Sequence, residues 1–172
     1  MIQIGNGLPP VAEEPLEHLV ACHSRILERL RTLERVGENL ETQPAAALDA
    51  LASSLRFFET SGKLHTLDEE DSVFPRMRPH LSAEDQEYLD SLESQHREKE
   101  QVFAELTRLA VELRSPITPE RANSYRSLTA RFCELYRSHI ESENTLLVSL
   151  GRGCLAPSEL ASIRAEMKAR RR

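Results

Sequence analysis

Four histidines, His23, His65, His96 and His139, recur along this chain of 172 residues, each in the middle of an apolar stripe at helical spacing. Forty-two residues separate His23 from His65, and forty-three separate His96 from His139. Acids follow two of them at the fourth position, Glu69 after His65 and Glu143 after His139. A step of four residues turns an α-helix by about 40° and climbs about 6 Å, so both members of a pair can reach one point in a core. A single histidine on such a stripe is most simply a core residue bonded to a neighbour. Four at matched depth, with carboxylates on the same stripes, differ from that case, because burying an ionised carboxylate without a partner is strongly unfavourable. No Lys or Arg stands on the same stripe near Glu69 or Glu143, so a cation has to come from elsewhere.

Metal ions meet that need. Neutral imidazole nitrogens with carboxylate oxygens form a mixed donor set suited to iron, manganese or zinc. Six donors exceed what one tetrahedral zinc uses. They divide over two ions, with Glu69 and Glu143 bridging and two histidines terminal on each, which leaves positions open for oxo, hydroxo or a small exogenous ligand. Glu100 follows His96 at the same spacing and stands open between a further ligand, an acceptor orienting an imidazole, and a proton relay. Helix one has Leu27 in the equivalent place, so the repeat is imperfect there.

These residues require helices to position them. The chain is rich in Leu, Ala, Glu and Arg over long windows, with no Val/Ile/Thr runs at period 2, which predicts an all-α protein. Helix one is expected from about Glu14 to Val36. Helix two should start between Thr42 and Pro44 and run to Phe74, where Pro75 ends it. Ser82 caps a third helix reaching about Arg114, and Thr118 with Pro119 opens a fourth that runs to Leu150, before Gly151. A short fifth helix spans about Ser158 to Arg170. Short connections between four long amphipathic helices predict an antiparallel up-down-up-down four-helix bundle, in one domain over 1–172 with its metal-binding core at about 14–151.

A net charge of −6 and a pI near 5.6 oppose a nucleic-acid or anionic-membrane partner. The basic tail KARRR is expected to complement the dipole of the last helix. No apolar run approaches the roughly 20 residues that span a bilayer, the N-terminus lacks a signal-peptide pattern, and Cys22, Cys133 and Cys154 share no CxxC spacing, so a cytoplasmic protein with buried or partly buried free thiols is expected.

The segments ACHSRIL, HTLDEEDSVFP, SQHREKE and HIESENTLL, from about Leu16 to Leu150, together resemble the hemerythrin-like, or HHE cation-binding, domain. The resemblance implies a four-helix bundle with a non-haem di-iron centre on His23, His65, Glu69, His96, His139 and Glu143, and reactions with O2, nitric oxide or peroxide. Oxygen-carrying hemerythrins show HxxxH on the third helix, where this chain has His96 followed by Glu100, which weakens reversible oxygen carriage. The set of four histidines and two glutamates looks more like that of di-iron proteins that repair damaged iron–sulfur clusters, although those usually carry a further cysteine-containing N-terminal domain.

Three function classes follow. One is a module that senses or binds O2, nitric oxide or iron; another is an oxidoreductase or iron donor in cluster repair, working with a redox partner. A ferritin-like oxidase ranks lowest, since only Glu93 to His96 has the ExxH spacing that fold pairs. Enzyme or sensor, the choice of iron over manganese or zinc, and the oligomeric state stay open. His18 and His80 are expected at the surface, and Asp68, Glu70 and Asp71 on a solvated face, Glu70 nearing the metals only if the helix is rotated. Tyr136 is read as core packing or a hydrogen-bond donor to a ligand, and Gly62 as a ligand channel or a close helix approach.

Overall fold

The computed structural model describes residues 14–146 and 150–172. Helix α1 spans Pro15–Asn39, α3 Ala83–Glu112, α4 Pro119–Leu146 and α5 Pro157–Ala169, with a single turn at Arg152–Cys154 before α5. Between α1 and α3 runs α2, residues 44–77, built of α-helical Pro44–Phe57, Lys63–Asp68 and Phe74–Met77 joined by two π-helical turns, Phe58–Gly62 and Glu69–Val73. No strand occurs among the described residues. The expected last turn of the fourth helix, 147–149, lies outside them.

Side-chain pairs across the bundle fix its topology. Phe57 lies under Arg29 while His65 meets His23, so α1 and α2 run in opposite directions. Phe58 packs on Phe103 while Glu69 meets His96, Tyr88 bonds the Ser142 carbonyl while His96 meets His139, and Tyr125 donates to the Leu33 carbonyl while His23 meets Asn144. Each neighbouring pair is antiparallel, giving the all-α up-down-up-down bundle expected from the short connections. Caps act as the sequence suggests on two helices: Ser82 Oγ accepts from Asp85 N at 3.2 Å, and Thr118 Oγ1 from Arg121 N at 3.3 Å. Thr42 does not cap α2, whose preceding residue is Gln43.

Two expectations about α2 are corrected. Its helix is not uniformly α, and Pro75 does not end it. A π turn adds a residue to the local repeat, and the turn at Glu69–Val73 carries the chain into Pro75, which then sits in the first turn of Phe74–Met77, where its missing N–H is tolerated. A 3₁₀ turn over Arg78–His80 follows.

The apolar core comes in two parts. One contains Ile26, Leu30 and Leu33 of α1, Leu51 and Phe58 of α2, Val102 and Leu106 of α3, and Phe132 and Ile140 of α4. The other contains Leu16, Leu19, Val73, Phe74, Leu89, Leu92 and Leu146, and is closed by Ile163 and Met167 of α5. On α1, α2 and α3 the gap between the two parts falls where a histidine stands, and on α4 it falls at Glu143, one turn after His139.

Candidate metal centre

The gap is filled by a buried polar layer. His23, His65, Glu69 and Glu143 bring ligand-type atoms within 4.8 Å of one another, and Glu69, His96 and His139 do the same, so Glu69 belongs to both groups. Nε2 of His65 is 2.7 Å from Glu69 Oε1, and Nε2 of His96 is 3.2 Å from Glu69 Oε2. Glu143 Oε2 lies 3.1 Å from His23 Nε2 and 3.2 Å from His139 Nε2. One carboxylate thus stands between His65 and His96, the other between His23 and His139. All six sequence-predicted residues meet here, contributed by all four long helices.

Outer contacts decide which ring nitrogen faces inward. His23 Nδ1 donates to Asn144 Oδ1 at 2.8 Å, His96 Nδ1 to Glu70 Oε1 at 2.7 Å, and His139 Nδ1 to Gln95 Oε1 at 3.0 Å. With Nδ1 engaged as the donor, Nε2 of each ring points to the interior and offers its lone pair there once the ring is neutral, the arrangement a metal-binding histidine needs. The contact of 3.1 Å between His96 Nε2 and His139 Nε2 sets two such nitrogens face to face.

The donor set fits a metal on a further ground. Both oxygens of Glu69, Oε1 of Glu143 and Nδ1 of His65 are buried without a hydrogen-bond partner among the described residues. Glu69 approaches His65 closely, but off the angle that a hydrogen bond requires. Buried carboxylate oxygens in that condition are costly unless a cation satisfies them.

Protonation follows from the same crowding. Burial pushes His65 down, but the charge and contact of Glu69, the Cys22 thiol beside it and the charge of Glu143 together outweigh it and lift the imidazole to about 10. Burial alone would raise Glu69; His65 and His96 hold it well below the usual carboxylate range. Burial and the charge of Glu69 push Glu143 up, and His139 and His23 more than offset them. Burial, with the nearby Lys99 and His96 charges, takes His139 down to about 4.

Lys99 was not anticipated by the sequence pattern. It is 4% exposed, brought down by burial to about 8, and held from falling further by Glu69, Glu143 and Glu70. The expectation that no cation stands near the two glutamates is therefore corrected: the third helix supplies one. Steps of three along α3, His96 to Lys99 to Val102, keep its buried stripe centred, whereas a step of four carries Glu100 out to the solvent-facing side. Glu100 joins neither ligand group.

Other expectations shift as well. Glu70 is half-buried and bonds His96 rather than only water. Asp68 is wholly buried and binds Arg170 Nη1 at 3.0 Å and Arg171 Nη2 at 2.5 Å, so the basic tail grips α2 instead of merely complementing a dipole. Asp68 stands about 100° round the helix from Glu69, so it faces α5, which packs on this part of α2, while Glu69 faces the centre. His18 is buried beside Cys22, 3.6 Å from its Sγ, because α1 packs against α5 as well as α2 and α4. His80 is exposed as expected, and Cys22, Cys133 and Cys154 are free thiols. Tyr136 packs its ring on Phe58 and Phe132, with Lys99 Nζ 4.5 Å from the ring centre. Gly62 lines a cavity beside the centre, and no helix among the described residues is long and apolar enough to cross a membrane.

A protein of Haemophilus influenzae described as "Uncharacterized protein" is 32% identical over 160 residues, 92% of this chain and 90% of its own length. The family model of the hemerythrin HHE cation binding domain matches residues 14–150, a span that holds every residue of the buried layer. This chain belongs to the hemerythrin HHE cation-binding family.

Proposed function

We propose that this protein holds a non-haem di-iron centre on His23, His65, Glu69, His96, His139 and Glu143, and uses it to react with or sense O2, nitric oxide or peroxide. The observation that carries the reading is the sharing of Glu69 between two groups of ligand atoms, with orphaned oxygens on two wholly buried carboxylates. When bound, two iron ions supply one-electron redox chemistry and open coordination positions for a small ligand. The donor set also accepts manganese or zinc; iron follows the family resemblance.

The chain's own part is to orient and to hold protons. Asn144, Gln95 and Glu70 fix three imidazoles with Nε2 inward. In the metal-free protein the proton on His65 partners Glu69, and it must leave for an ion to bind. Three unpaired thiols suit the reducing cytoplasm, where we place the protein.

A second reading, an oxidoreductase or iron donor for damaged iron–sulfur clusters, is favoured by one observation. The third helix offers His96 alone while Glu100 is exposed, so the set is four histidines and two glutamates. The same observation weighs against reversible oxygen carriage.

Metal analysis of anaerobically purified protein, followed by optical spectra on adding O2, nitric oxide or peroxide, tests these readings. About two irons per chain and a ligand-dependent band are expected. Less than about one iron or manganese per chain after reconstitution would overturn the proposal. Rapid turnover would favour the enzyme over the sensor.

A further inference from the structure

We propose that the cavity between α2 and α3 is a binding subsite for small monoanions, with Lys99 as its anchor. The proposal deepens the di-metal reading, because the cavity ends against His96. Its volume is about 330 Å³, room for a small anion and accompanying water.

The cavity is graded in chemistry from outside to inside. Exposed Glu59, Lys63, Arg97 and Glu100 stand at its mouth and cancel in charge. Phe58, Phe103 and Tyr136 form apolar walls, and Gly62 presents no side chain between them. The inner end holds His96 and Lys99. The ammonium of Lys99 makes no hydrogen bond or ion pair among the described residues, and its one close partner is the face of Tyr136. A buried cation is costly to leave without an anion, and one facing an accessible cavity can recruit it there.

A single charge is the best match. Glu70 also lines the cavity, already engaged with His96 Nδ1, so a dianion would meet one ammonium and a carboxylate together. Ions of the size of nitrite, azide or formate can set one charged end on Lys99 while lying beside His96. Lys99 is then the residue that sets ligand charge preference for the centre next door.

The chain has three lysines, Lys63, Lys99 and Lys168, so side-chain ammonium NMR of protein labelled with 15N-lysine resolves the anchor directly. Titrating metal-free protein with nitrite or formate at constant ionic strength should move the Lys99 signal saturably, with Lys168 unmoved. In metal-loaded protein, Lys99→Gln should weaken azide binding about tenfold or more at unchanged metal content. A Lys99 signal that does not respond in metal-free protein, or an azide affinity unaltered by Lys99→Gln, would each overturn the proposal. Should the protein take up no metal while the Lys99 signal still saturates, the subsite stands and the di-iron reading falls.

Discussion

Asp68 and Glu69 adjoin in the chain and are both wholly buried, yet they serve different partners: Asp68 binds the guanidinium groups of Arg170 and Arg171, while Glu69 stands between His65 and His96. The C-terminal helix is thereby tied to the residue next to the shared carboxylate. Ser72 extends the tie, accepting from Arg170 Nη2 at 2.8 Å and donating to Glu166 Oε2 at 2.6 Å.

Removing both arginines should therefore expose the cost of the buried Asp68 charge. The double variant Arg170→Ala/Arg171→Ala is expected to lose about 3 kcal/mol in urea denaturation, the typical penalty for orphaning a buried ion. Arg172→Ala, on an exposed terminal residue, should change stability by less than about 0.5 kcal/mol. Equal effects would contradict the assignment.

The buried layer and its outer contacts should separate in metal affinity. His65→Ala and Glu69→Ala are expected to abolish binding at one position or both, whereas Gln95→Ala and Asn144→Ala should retain metal with affinity about 10- to 100-fold weaker. Competition against a chromophoric chelator measures the difference.

Gly62→Leu fills the cavity rather than the core. A Cβ at Gly62 would meet Phe58 Cδ1 at 3.4 Å, an ordinary contact, so the fold should accept the change. Stopped-flow mixing of the metal-loaded variant with azide or nitric oxide should show slower association at unchanged metal content. Unaltered rates would mean that ligands reach the centre by another route.

Acid should loosen α5 through Glu166. Burial would raise its carboxyl, but bonds from Arg76 and Ser72 hold it below its ordinary value. A carboxyl depressed in the folded state adds stability that is present above its unfolded value and lost as pH falls through the folded one. Glu166→Gln should accordingly cost about 0.5 kcal/mol at neutral pH, a small figure because both members of the Arg76 pair are partly exposed. The gap from the unmodified protein should close as pH drops below about 4.5.

The helices and the six-residue layer were legible because both follow from periodicity. Matched spacings such as His23 to His65 and His96 to His139 translate directly into matched depth in an antiparallel bundle. Lys99, Asp68 and His18 escaped for three physical reasons. A stripe with a period near 3.6 alternates steps of three and four, and only packing decides whether position 99 or 100 is inside. Asp68 is buried because Arg170 and Arg171 at the end of α5 reach back to it, partners about a hundred residues away that no local pattern announces. His18 is buried because α5 packs back on α1, a long-range choice. Asn144 and Gln95 each adjoin a position on an apolar stripe, and only the contacts of His23 and His139 show them to be acceptors.

The division of the core leaves the folded chain with a waist. Above and below it, apolar side chains interlock; across it, four helices are joined by polar groups that satisfy one another incompletely. Such a joint can part while both ends remain packed, because local openings cost less than global unfolding. A metal ion held in this layer by residues of all four helices would tie the two half-cores together, so metal removal is expected to speed amide hydrogen exchange in the residues flanking the layer.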